Sequence, residues 1–195
     1  MGIFNLSDTA NDGISIGNTI SNVFSNSILL VVSTNELLLE RTLGTNIGNM
    51  TAGGGLEAAF DGTTSQIDSA SAKRSLANSA YIGKTLAVES AISKAIVHAP
   101  SDSGFTNGRA ASLYLYGKTG AAPSNDTDGT LLGEVEQIDT SPQTLISNNA
   151  TVWDHVWVTI IPSTHNTDIS IAEVEFYKIE NSYVNITATS ISIRG

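Results

Sequence analysis

The feature that most constrains this chain is a series of short apolar segments separated by turn-rich stretches. Residues 91–99 (AISKAIVHA) and 112–116 (SLYLY) repeat with period two, the second with Leu113 and Leu115 on one face and Tyr114 and Tyr116 on the other. That alternation is the signature of half-buried strands. Residues 152–161 (VWDHVWVTII), 169–179 (ISIAEVEFYKI) and 183–193 (YVNITATSISI) add three more strand-like segments. Between them, residues 100–109, 117–129 and 161–168 are dense in Gly, Pro, Asn, Asp and Ser, the residues whose backbone and side-chain preferences make turns. No recurring helical pattern interrupts the series. The expectation is an all-β protein, an antiparallel β-sandwich of the jelly-roll kind.

Composition agrees and removes several functions. Charged residues make up 14% of the 195, against roughly 25% in an ordinary globular protein. Nineteen acidic and nine basic residues leave a net charge of −10, which repels a phosphate backbone, so no nucleic acid is expected as a partner. The absence of cysteine removes disulfide frameworks, thiolate zinc sites and cysteine nucleophiles. The first residues, MGIFNLSDTANDG, carry neither a basic n-region nor an apolar h-region, so no Sec-type signal peptide is predicted. The longest apolar run, residues 28–32, is far short of the roughly 20 residues that cross a bilayer, so membrane insertion is not expected.

Gly48 to Gly55, with three consecutive glycines at Gly53, Gly54 and Gly55, is the best boundary candidate. It divides an N-terminal extension, residues 1–47, from a sandwich, residues 48–195. Within the extension, residues 28–32 read as a strand, whereas Ser33-Thr34-Asn35 ahead of Glu36 to Arg41 has the form of a capped short helix ended by Gly44. So apolar a segment is expected to pack on something, either as an added strand of the main domain or against a neighbouring subunit.

Signatures of catalysis are missing. His98, His155 and His165 lack the spacing of a histidine zinc centre. Asp154 and His155 are adjacent on a predicted strand, where successive side chains point to opposite faces, so they are poorly placed as a base and its orienter. There is no nucleophile elbow and no phosphate-cradling loop. Glu134/Glu136 and Glu173/Glu175 are carboxylate pairs two apart on strands, the pattern of a solvated face. Trp153 and Trp157, four apart, fall on one face by alternation and are expected in the core or at a subunit contact. No enzyme is predicted.

An ordered set of segments carries a resemblance: AAFDGTTSQ (58–66), YIGK (81–84), AISKAIVHAPSDSGF (91–105), SLYLYGKTG (112–120), DGTLLGE (128–134), VWVTI (156–160) and IAEVEFYKI (171–179). In order and rough spacing the set resembles the galactose-binding-like family, which includes discoidin domains, coagulation-factor type C domains and family 32 carbohydrate-binding modules. The resemblance implies a structural cation held between the first segment and the last strand. Carried over, the ligands are Asp61, a hydroxyl of Thr63 or Thr64, turn carbonyls and Glu173, with Asp68 and Glu175 as fallbacks. Such hard oxygen donors suit Ca²⁺. It also implies a sugar site in loops at one end of the sandwich, where the candidates are Phe105, Asn107 and Arg109 in one loop and His165 and Asn166 in another. A sugar ring stacks on an aromatic face while polar side chains bond its hydroxyls.

The function expected from these elements is that of a virion structural protein of a tailed bacteriophage or gene-transfer particle. Residues 1–47 would anchor it to other virion proteins or to sister copies, as a trimer, and the sandwich would face host surface carbohydrate. The alternatives are a stand-alone carbohydrate-binding module of an extracellular bacterial protein, or a capsid cement or spike protein without a ligand.

Overall fold

The computed structural model describes residues 27–105, 112–136, 138, 140–164 and 167–187, the backbone alone for 27–34 and 181–187. The chain divides into two compact units. One comprises residues 36–179; the other is drawn from the two ends of the chain, 1–35 and 180–195.

Among the described residues eleven strands follow in order: β1 (Ser27–Leu38), β2 (Thr45–Gly48), β3 (Ala52–Gly53), then a 3-10 turn (Leu56–Phe60), β4 (Ala72–Ala77), β5 (Ala80–His98), β6 (Ser112–Lys118), β7 (Thr130–Glu136), β8 (Gln143–Ile146), β9 (Val152–Ile161), β10 (Thr167–Ile171) and β11 (Glu173–Thr187). The main sheet runs β11-β5-β9-β6-β7, with β2 and β8 also on β5, and a smaller sheet runs β10-β4-β3. The strand pairs whose register is described are antiparallel. The all-β expectation therefore holds. In the unit made from the chain ends, β1 is the neighbour of β11.

β5 organises the sandwich. Its first part, Ala80 to Thr85, pairs with Ile160 to His155 of β9, and its last part pairs with β11 on one side and β8 on the other. Between Thr85 and Ser90 the register with β9 shifts. A bulge of this kind bends a strand and raises its twist, which lets one long strand serve two parts of a curled sheet. Ile82, Ile92, Ala95, Val97, Leu113, Leu115, Val156, Val158, Ile160 and Val174 form the core with Phe60 and Phe176, whose rings stack 6.2 Å apart.

Several expectations are refined. The segment 152–161 is β9 to the residue, but 169–179 is two strands split at Ala172, whose N–H donates to the His98 carbonyl at 2.9 Å. Glu36 to Leu38 continue β1 and do not open a helix; the Leu39 N–H donates to the Phe176 carbonyl at 2.8 Å. One turn of helix forms few bonds for the backbone it fixes, and pairing with β11 supplies them instead. Residues 36–47, which the glycine-rich break assigned to the extension, lie in the sandwich unit, and β2 pairs with Thr85 to Ile82 of β5. Among the described residues no helix is long and apolar enough to cross a membrane.

Candidate functional site

The Asp61-Gly62 turn closes the 3-10 turn, and Glu173 opens β11; the fold brings them together across the sequence. The Gly62 N–H donates to Glu173 Oε2 at 3.1 Å. Asp61 caps its own turn, accepting from the Thr63 N–H at 2.7 Å on Oδ1 and from the Gln66 amide on Oδ2. Thr63 and Thr64 are exposed, whereas Glu173 is 0% exposed. Arg41 completes the cluster: its Nε donates to Glu173 Oε1 at 2.8 Å and its Nη2 to Glu175 Oε1 at 2.6 Å. His98 Nε2 stands 3.7 Å from Glu175 Oε2. Burial pushes the Glu173 carboxyl above its ordinary value, against the pull of Arg41 and the Gly62 N–H. The Lys84 ammonium, almost wholly buried, donates to Asn46 Oδ1 at 2.7 Å and lies 4.7 Å from the Phe60 ring centre; burial pushes it down.

A Ca²⁺ site needs six to eight oxygens free to point at the ion. Here both oxygens of Asp61 and both of Glu173 already accept hydrogen bonds, and the positive charge beside Glu173 and Glu175 belongs to a guanidinium. Among the described residues no three His, Asp or Glu side chains converge as metal ligands. This arrangement does not fit a resident cation. Of its members, sequence reasoning named Asp61 and Glu173, held Glu175 in reserve, and missed Arg41 and Lys84. No motif ties Arg41 to β11; its role comes from the chain path after β1.

The loop candidates divide. Phe105 is 3% exposed and packs in the core, so its ring is not offered as a stacking platform. Asn107, Arg109, His165 and Asn166 lie outside the described residues. The register pairs Ser112 with Ile161, so the connection entering β6 and the connection leaving β9 meet the sheet at the same end.

At the opposite end of β6, residues 119–129 fold over the sheet. Trp157 stacks on Tyr116, centroids 5.6 Å apart, and its indole N–H donates to the Asp126 carbonyl at 2.9 Å. It alternates with the core residues Val156 and Val158 and so lies on the other face, whereas Trp153 belongs to the core and packs against Gly117. The common face expected for the two tryptophans is thus not found. Alternation holds only along an unbroken ladder, and the register of β5 with β9 shifts opposite the stretch between them. Asp154 and His155 both fasten this loop: Asp154 Oδ2 accepts from the Gly120 N–H at 2.6 Å, and His155 Nε2 lies 2.9 Å from the Gly120 carbonyl. His155 Nδ1 is 2.8 Å from Thr85 Oγ1.

Asp128 anchors the same loop. Lys118 Nζ donates to it at 2.7 Å, and the N–H and hydroxyl of Ser124 each donate at 2.8 Å. These donors, Lys118 first, hold its carboxyl well below the usual carboxylate range. A depressed folded-state value gives stability that is present above the unfolded value and lost as pH falls through it toward the folded one. Melting temperature is therefore expected to fall as pH drops below about 4, and Asp128→Asn to flatten that acid limb. An unchanged acid limb in the variant would remove this account.

No protein-family model matches the sequence, and no curated protein matches it. Solved structures do. A family 32 carbohydrate-binding module from Clostridium perfringens NanJ, in complex with galactose, is similar with TM-score 0.53 and 17% identity, covering 74% of this chain and 100% of that one. The Streptococcus pneumoniae fucose-binding module SpX-3 aligns with TM-score 0.54 and 15% identity over 72% of this chain and 98% of its own. The serum fucolectin of striped bass, Morone saxatilis, aligns with TM-score 0.56 and 12% identity over 73% of this chain and 49% of its own. At these identities the likeness is one of fold: the antiparallel β-sandwich of this chain is similar to the fold of these galactose-binding-like modules, as the ordered segments implied.

Proposed function

We propose that this protein is a non-catalytic binding protein whose sandwich takes a sugar unit of a surface glycan. The observation that carries the reading is the fold shared with several modules whose names record galactose, fucose or Lewis-type ligands. The polar contacts that the resemblance implies are Asn107 and Arg109, between β5 and β6 in the sequence, and His165 and Asn166, between β9 and β10. A site made chiefly of polar side chains binds one sugar weakly, and multiple copies raise that affinity through avidity.

The finer reading is display on a tailed phage or gene-transfer particle, with homotrimeric attachment to other virion proteins. It draws support from the division of the chain into two compact units, one of them formed from its two ends. The low charge of the chain suits close packing against neighbours, since few ions need desolvation.

A glycan array probed with the full chain tests the binding reading, with galactose- and fucose-terminated glycans expected as the positive spots. Arg109→Ala and His165→Ala are each expected to weaken binding about tenfold, a loss of about 1.4 kcal/mol, without moving the melting temperature. An array blank for every glycan would sink the proposal and leave the cement or spike alternative. Light scattering on the same sample tests the assembly reading, which a monomer would overturn.

A further inference from the structure

The buried carboxylate at the start of β11 needs a positive partner, and the fold supplies one from its own chain. Glu173 and Glu175 are two apart on β11 and share a face. The guanidinium of Arg41 spans them, with Nε on one and Nη2 on the other. That fork geometry belongs to arginine; a lysine ammonium is a compact point charge that cannot reproduce it. Gly62 faces the same group: an atom at its Cβ position would stand 3.8 Å from the guanidinium carbon. The Asp61-Gly62 turn, β11 and the segment after β1 therefore converge on one cation.

We infer that Arg41 acts as a built-in counter-cation at this position, tying the Asp61-Gly62 turn to β11 so that the sandwich is stable without a bound divalent metal.

Further contacts hold the segment that delivers it. The Leu39 N–H pairs with the Phe176 carbonyl, the Lys84 ammonium donates to the Leu43 carbonyl at 3.3 Å and to Asn46 Oδ1, and β2 continues onto β5. A metal ion would have to displace a guanidinium fixed on both flanks. It would also have to take carboxylate oxygens away from the Gly62 and Thr63 N–H groups. Burial adds to the requirement, because a fully buried carboxylate left without a partner is strongly destabilising.

The test is thermal melting of the full chain in chelator and in excess calcium chloride. The native protein is expected to melt at the same temperature in both; a fall in chelator or a rise in calcium overturns the inference. Arg41→Met is expected to lower the melting temperature by about 5–10 °C, and Arg41→Lys to recover less than half of that loss. In the double variant Arg41→Met/Glu173→Gln, the second substitution should restore stability to the first, because it removes the stranded charge. Strict additivity of the two losses, or an Arg41→Met protein as stable as the native one, refutes the role. Should Arg41→Met fail to fold, the calcium and chelator measurement on the native chain and the Arg41→Lys comparison still decide it.

Discussion

Gly83→Val is expected to leave the chain without a folded sandwich. Gly83 sits in β5 directly opposite Trp157 of β9. A Cβ there would lie 2.1 Å from the Val156 carbonyl oxygen, 2.4 Å from Trp157 Cβ and 2.5 Å from Trp157 Cα. Overpacking that flexible side chains can absorb costs about 1–3 kcal/mol. Here two of the three obstructing atoms are backbone, in the central pair of the main sheet, so relief means separating β5 from β9. A domain with a margin of about 5–15 kcal/mol cannot spare that pairing. Gly120→Ala is the control. Its φ of +78° disfavours a side chain, but nothing lies within 4 Å of the added atom, so it should cost only about 1–2 kcal/mol. Circular dichroism and two-dimensional amide spectra separate the cases; a Gly83→Val protein melting within a few degrees of the native one would contradict the β5–β9 register.

Trp157→Ala is expected to cost about 3–5 kcal/mol, the range for deleting a large buried aromatic ring, and to lower the melting temperature by roughly 10–15 °C. Three things are lost together: the stack on Tyr116, the hydrogen bond to the Asp126 carbonyl, and the surface against which Gly129 fits, where a Cβ would come within 2.4 Å of the ring. The variant should therefore also open residues 119–129 to proteolysis. Trp157→Phe keeps the stack and leaves Thr159 as the side-chain donor to that carbonyl, for a loss of about 1–3 kcal/mol. Urea denaturation gives both values. A near-native midpoint for Trp157→Ala would mean that the loop, and not the ring, carries the stability of this face.

The segments rich in β-branched and aromatic residues between turn-dense stretches are the strands legible in the sequence. β6 alternates without a break and extends its predicted bounds by two residues, and β9 has its predicted bounds although its alternation breaks between Trp153 and Trp157. In β5 the sequence pattern marks a strand only from residue 91, since the earlier part holds Gly83 and the inward Lys84 and breaks register before Ser90. The short helix over residues 36–41 failed for the complementary reason. Its capping pattern was real, but a local preference worth little lost to a partner strand brought from far along the sequence.

The candidate site follows the same division. That the Asp61 turn and Glu173 meet was implied by likeness to a family, and they do meet, through the Gly62 N–H. What fills the space between them was invisible, because Arg41 lies 132 residues from Glu173 and has no sequence pattern linking the two. Phe105 looked like a loop aromatic, yet its burial depends on neighbours in other strands.

By itself the sequence determined the class of structure, since period-two alternation, turn-rich connections and low charge leave few ways to bury apolar surface other than an antiparallel sandwich. Only the tertiary structure decided which charges are paired, which aromatic rings are covered and where the sandwich begins. Those outcomes rest on contacts between residues far apart in the chain, whose distances no local pattern encodes.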